Sequence, residues 1–136
     1  MSDYLFDTDI LSFYLKGNQK VIKKFQDYVS EDDFNGINIT EITYFEILAG
    51  LEYRKASKQI KLFEEFIFKC NIIKLSNSSL KLSAKQYGIL RQKGIIIGTP
   101  DLLIAGIAMA NNLILVTNNQ KHFNPISELN TANWLE

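Results

Sequence analysis

Residues 94–117 read GIIIGTPDLLIAGIAMANNLILVT, and two local signals divide them. Thr99-Pro100-Asp101 is a helix start: a hydroxyl cap, a proline in the first turn and an acid beside it. Asn111-Asn112 stops that helix, and Leu113 to Thr117 is a continuous apolar run with the length and β-branching of a strand. A strand that is apolar at every position, rather than at alternate ones, is buried on both faces. That is the signature of a parallel sheet covered by helices.

The same alternation extends toward the N-terminus. YLF at 4–6 is a short strand, and Thr8 or Asp9 caps a helix whose apolar positions Ile10, Leu11, Phe13 and Tyr14 face inward until Gly17-Asn18. Val21, Ile22, Phe25 and Tyr28-Val29 predict a second helix. SEDDFNG at 30–36 is loop, and INIT at 37–40 is a strand. Thr40 or Glu41 then opens a helix over ITYFEILAGLEYRK, and a further amphipathic segment carries Ile60, Phe63, Phe66 and Ile67. NIIKL at 71–75 is the third strand, SNSSL caps a helix that ends at Gly94, and a short terminal strand is expected around Trp134. The pattern predicts one α/β domain over residues 1–136, a three-layer α/β/α sandwich with a mainly parallel central sheet. Such sheets take their ligands at the carboxyl ends of the strands, near the switch in strand order.

Composition narrows the class. Formal net charge is zero, so no global field advertises a polyanion partner. The first 65 residues nevertheless hold most of the acids and the following stretch is basic, which gives the surface two electrostatic characters. Cys70 is the only cysteine, so neither a disulfide framework nor a thiolate metal site is available. No basic leader precedes an apolar core, and no apolar run approaches the ~20 residues of a membrane span. A reducing cytoplasm is the expectation.

Between Phe66 and Ser127, Asp101 is the only acid among seven Lys and Arg side chains. Asp7 directly follows the first strand, with Asp9 two residues on. Glu46 lies one turn into the helix after INIT, among Tyr44, Phe45, Ile47 and Leu48, and Thr117-Asn118-Asn119 follows the last long strand. The strand-end rule therefore brings Asp7, Glu46, Asp101 and the asparagine pair toward one edge of the sheet. Crowded carboxylates relieve their repulsion by protonation or by a divalent cation. An all-oxygen donor set without His or Cys clusters selects Mg²⁺ or Mn²⁺, ions that work on phosphate esters.

Each acid taken singly has an ordinary explanation. Asp101 is a helix N-terminal acid worth about 0.5–1 kcal/mol, Asp9 a cap, Glu46 a member of a solvated face, Asn118-Asn119 a turn, and His122 a loop anchor. Their joint placement favours the site.

The stretches LFDTDILSFYL, ITEITYFEILAGLEYR, IGTPDLLIAGIA and LILVTNNQKHF, in this order, resemble the PIN-domain ribonucleases, and among them the VapC-type toxins of bacterial toxin–antitoxin pairs. The terminal Asn133-Trp134 agrees. The resemblance implies that Asp7, Glu46 and Asp101 are the acidic metal-binding residues, with Thr8 orienting the first acid and Thr117 supporting the site. It sets the fourth acidic position on the TNN segment, on Asn119 with Asn118 as the alternative register, where this chain carries an amide, and gives Asp9 where many relatives have Asn. The implied activity is Mg²⁺-dependent hydrolysis of RNA, transfer RNA being one candidate substrate, to 5′-phosphate and 3′-hydroxyl ends, with Mn²⁺ as a substitute ion and Glu46 or Asp101 receiving the proton of water. Lys16, Lys20, Arg54, Lys55, Arg91 and Lys93 are candidate phosphate contacts. A cognate antitoxin protein covering the cleft is implied, as is a homodimer, with Phe63, Phe66 and Ile67 as candidate contacts.

Two other enzymes or modules compete. Asp7-Thr8-Asp9 after a strand matches a haloacid-dehalogenase-like phosphatase with Asp7 as nucleophile, but the C-terminal half lacks the further acids that mechanism needs. A non-catalytic PIN-fold binding module would accommodate Asn119. A receiver-like domain fails, because SNSS and not Asp follows the third strand.

Overall fold

The computed structural model describes residues 3–135. In chain order the elements are β1 (Tyr4–Phe6), α1 (Thr8–Leu15), α2 (Gln19–Val29), β2 (Ile37–Thr40), α3 (Glu41–Tyr53), α4 (Ser57–Ile67), β3 (Cys70–Ile73), α5 (Asn77–Gln92), α6 (Thr99–Ala110), β4 (Ile114–Val116), α7 (Gln120–Phe123) and β5 (Thr131–Ala132). The strands form one sheet in the order β3-β2-β1-β4-β5, and every pair is parallel. The chain builds outward from β1 through β2 to β3, then crosses back to place β4 on the other side of β1. The switch in strand order therefore falls between β1 and β4, where Phe6 pairs with Val116.

Side-chain alternation along these two central strands generates the layers. Leu5 and Leu115 enter one hydrophobic core, while Phe6 and Val116 enter the other, all four fully buried. The first core takes Ile10 and Leu11 of α1, Val21 and Phe25 of α2, Ile47 of α3 and Phe63 of α4. The second takes Leu90 of α5, Ile104, Ala105, Ile107 and Ala108 of α6, and Phe123 of α7. Helices thus cover both faces, as the uniformly apolar strands predict. Trp134 is buried against Phe6 and Phe25, with ring centroids 4.8 and 5.0 Å away, and fastens the end of the chain onto the sheet.

Local chemistry explains the boundaries and corrects several expectations. Asn18 caps α2 by accepting from the Val21 amide at 3.1 Å, and Thr40 caps α3 by accepting from Thr43 at 3.0 Å. Asp7, not Thr8 or Asp9, occupies the cap position of α1. Ser76 and Ser79 exchange side-chain bonds with each other's amides at 2.9 and 3.0 Å, so α5 begins within the SNSSL stretch. Gly98 rather than Thr99 is the cap residue of α6, which has no side-chain cap bond. Strand β3 stops at Ile73, the short α7 was not expected, and the terminal strand lies before Trp134, not around it. Phe63 and Ile67 are buried in this chain's own core and are not free to form a dimer face, whereas Phe66 packs against that core and stays part-exposed. The exposed apolar groups of that region are Leu62 and Phe68.

The small residues of α6 allow a close approach. A Cβ added at Gly106 would run into the Ser83 hydroxyl and the Ser79 carbonyl oxygen of α5, and Ser83 Oγ donates to the Leu102 carbonyl at 2.7 Å. The two helices are therefore in backbone contact, which holds the start of α6 in a fixed place against the sheet. Gly106→Ala should lower stability by about 1–3 kcal/mol despite alanine's better helix propensity, because α5 must move to admit the methyl group. Urea denaturation measures this, and an unchanged or raised midpoint would contradict the close contact.

Candidate active site

Asp7 emerges from the carboxyl end of β1, and its amide still belongs to the sheet, donating to the Val116 carbonyl at 2.9 Å. The side chain is 5% exposed. Both carboxylate oxygens are engaged: Oδ1 accepts from the Thr8 amide at 2.9 Å and Oδ2 from the Thr117 hydroxyl at 2.8 Å. Thr117 is the residue after β4, and its own amide donates to the Ala132 carbonyl of β5 at 2.8 Å. The group that orients Asp7 is thus clamped to the sheet on the far side of the switch point.

Thr8 links Asp7 to Glu46. While its amide holds Asp7, its hydroxyl donates to Glu46 Oε1 at 2.7 Å. That hydroxyl also lies 2.9 Å from Thr43 Oγ1. Because its single proton is committed to Glu46, Thr43 is the donor in that second bond. Glu46, half-buried on α3, is thus held by the Thr8 hydroxyl, which Thr43 holds in turn. Sequence reasoning assigned Thr8 to the first acid; its side chain serves Glu46 and only its backbone serves Asp7.

Asp9, in the first turn of α1, accepts from the Ile10 amide at 2.6 Å and from the Asn118 amide at 3.2 Å. Beyond serving its own helix it ties the loop after β4 to α1. Asp101, on the first turn of α6, is half-buried, and its Oδ2 lies 2.9 Å from His122 Nε2. His122 comes from α7. No signal in the sequence joined these two residues, since the contact depends on how α7 packs.

Asn119 contributes mainly backbone. Its amide donates to the Thr117 hydroxyl at 3.0 Å and its carbonyl accepts from the His122 amide at 3.0 Å. Its side chain is exposed and makes no hydrogen bond among the described residues. The amide at the fourth acidic position therefore shapes the loop without adding charge.

The electrostatics are those of unrelieved like charge. Burial, then the neighbouring Asp9 carboxylate, lift the Asp7 carboxyl from its ordinary 3.8 to about 7; the bonds from Thr117 and Thr8 pull it down, and Asp101 adds a smaller upward push. Asp9 is raised as well, by burial first and by Asp101 among its charged neighbours. Among the described residues the only Lys or Arg within ion-pair distance of a carboxylate is Lys23, beside Asp27, so no Lys or Arg neutralises Asp7, Asp9 or Glu46. Nor do any three His, Cys, Asp or Glu side chains among those residues stand close enough to form a ready-made ion cage. The donors fit a small, hard, hydrated dication: all are oxygens, their charge is uncompensated, and Mg²⁺ is commonly held by one or two carboxylates with water completing its shell.

Comparison with known proteins agrees with the fold. The PIN domain family model matches residues 4–128. Ribonuclease VapC2 of Rickettsia felis is 33% identical over 133 residues, covering 96% of this chain and 97% of that protein. The crystal structure of VapBC2 from Rickettsia felis, bound to a DNA fragment from their promoter, superposes with a TM-score of 0.86 at 31% identity, over 96% of this chain and 98% of that one. DNA-bound VapBC from Salmonella typhimurium gives a TM-score of 0.87 at 25% identity, over 98% and 99% of the two chains.

A carboxyl that titrates near 7 when folded and near 3.8 when unfolded binds a proton in the native state that the unfolded chain has released. The contribution of this group to native stability is then greatest below about pH 4 and is lost as pH rises to about 7, by on the order of 4 kcal/mol. Asp7→Asn removes the charge while keeping the shape. In EDTA at pH 8 the variant should melt higher than the parent chain, and the difference should vanish near pH 4. Thermal melts across that range that show a constant or opposite difference would refute the reading of Asp7 as a strained buried charge.

Proposed function

The chain belongs to the PIN-domain family, and from that premise we propose that it is a divalent-metal-dependent endoribonuclease of the VapC type, the toxin of a toxin–antitoxin pair. The observation that carries the proposal is the buried, upshifted Asp7 carboxyl, crowded by Asp9 and Asp101 without an ion pair to any Lys or Arg among the described residues. A protein that buries negative charge at a strand-end cleft without a cation of its own is built to receive one.

In this reading Asp7, Glu46 and Asp101 are the residues that would hold the ion, directly or through its waters, since they form no three-carboxylate cage among the described residues. A bound Mg²⁺, or Mn²⁺ in its place, supplies Lewis-acid polarisation of the phosphoryl group and a water of lowered pKa. The chain's own residues supply the rest. Thr117 and the Thr8 amide keep the Asp7 oxygens in one orientation, so little reorganisation is needed when the ion arrives. Glu46, held by the Thr8 hydroxyl through Oε1, keeps Oε2 available to accept the proton of the attacking water. Hydrolysis in this way leaves a 5′-phosphate and a 3′-hydroxyl. Lys16, Lys20, Arg54, Lys55, Arg91 and Lys93 are all exposed and serve as phosphate contacts on the RNA. A nucleophilic role for Asp7, as in the phosphatase alternative, is disfavoured because both its oxygens already accept hydrogen bonds in a buried setting.

The relatives solved as VapBC complexes support a protein antitoxin as the partner. An apolar groove lined by Leu15, Ile47, Leu51 and Leu62, with Lys16 and Arg54 at its rim, suits a segment of that partner that is apolar with acidic flanks. No helix among the described residues is long and apolar enough to cross a membrane.

Asp7→Asn and Asp101→Asn should each reduce Mg²⁺-dependent cleavage of RNA by at least about a thousandfold, the scale of losing an electrostatic element of a transition state, and relieve growth arrest on expression. EDTA should silence the parent chain and Mn²⁺ restore it. Labelled RNA fragments should carry 5′-phosphates. Full cleavage by either folded variant, or cleavage unaffected by EDTA, would overturn the assignment.

A further inference from the structure

The loop after β4 joins two carboxylates that lie on different elements. From Asp7 the path runs through the Thr117 hydroxyl at 2.8 Å, the Asn119 amide at 3.0 Å, and the bond from the His122 amide to the Asn119 carbonyl at 3.0 Å. It ends at His122 Nε2, 2.9 Å from Asp101 Oδ2. The short helix that carries His122 does not float on the surface. Phe123 is 1% exposed in the core beneath it, and its ring meets the imidazole edge-on at 5.4 Å.

We propose that His122 is a positioning residue for the metal site: its Nε2–H holds Asp101 Oδ2 and leaves Oδ1 as the oxygen that would be offered to an ion. The inference rests on the reading of Asp101 as a metal-holding residue. Asp101 sits in the first turn of α6, where a half-exposed carboxylate has a competing option. The cap position of that helix is Gly98, which offers no side-chain bond, so free amides of the first turn attract any nearby anion. His122 draws the carboxylate the other way, and Oδ1 makes no other hydrogen bond among the described residues. Hydrogen bonds to the outer oxygen of a ligating carboxylate set its direction and basicity. The contact also explains why the loop can dispense with an acid at Asn119, because its role at the site is exercised through backbone groups and through the imidazole three residues on.

Titration of the metal-free chain with Mn²⁺ alone, by calorimetry at pH 8, tests this without reference to turnover. His122→Ala should weaken binding about tenfold or more, and His122→Gln, which keeps a donor, should recover most of the loss. Asp101→Asn should lose binding, and adding His122→Ala to it should change nothing further. If His122→Ala binds Mn²⁺ as tightly as the parent while Asp101→Asn does not, His122 is only a surface partner and the proposal fails. If His122→Gln shows no recovery, the hydrogen bond is not the cause and the proposal fails as well. If Asp101→Asn itself binds normally, the metal assignment of Asp101 falls, and this inference with it.

Discussion

A buried carboxylate at the point where the sheet changes direction is the constraint on which the other features depend. Asp7 stands where β1 ends and α1 begins, beside the residue that ends β4. The topology concentrates backbone amides and strand termini there, and removes water. Two hydrogen bonds fix the side chain, but they do not neutralise it, and its acidic neighbours raise the cost of its charge. The fold tolerates that cost because the surrounding elements are rigid: Phe6 and Val116 are fully buried behind it, and Thr117 is bound to β5 as well as to Asp7.

Hydroxyls do most of the orienting. Thr8, held in turn by Thr43, directs Glu46, and Thr117 directs Asp7. A threonine is suited to this at a strand end, because its β-branch restricts rotation and its small donor needs little room. Lysine or arginine in the same places would steady the carboxylates more strongly, but would also occupy the position a cation needs. The choice of neutral donors keeps the acids aligned and leaves their charge unspent.

The sheet and its helices were legible because their signals are local or periodic. Continuous apolar runs such as Leu113 to Val116 announced burial on both faces, and the strand-end rule then located Asp7 and Thr117 at the switch. What escaped was decided by packing between distant segments. Whether the Thr8 hydroxyl turns to Asp7 or to Glu46 depends on how α3 approaches α1, which no spacing in the sequence encodes. The meeting of His122 with Asp101 depends on a helix of one turn, too short to have a period. Thr99 looked like a cap because its hydroxyl suits the role, yet the backbone begins the helix one residue earlier, at Gly98. Phe63 and Ile67 had the spacing of an amphipathic face, but spacing alone does not say whether that face meets the chain itself or another copy.

The two sides of the acidic cluster are anchored in different hydrophobic layers. Asp7, at the cap of α1, and Glu46, on α3, adjoin helices seated in the core beneath Phe6, whereas Asp101 and His122 ride on helices seated in the core beneath Leu5. The two anchors meet through the central strand pair, where Phe6 and Val116 lie in register and the Asp7 amide donates to the Val116 carbonyl. Side-chain volume in either oily compartment sets how far its helices stand from the strands, so repacking one interior would shift one jaw of the vice against the other.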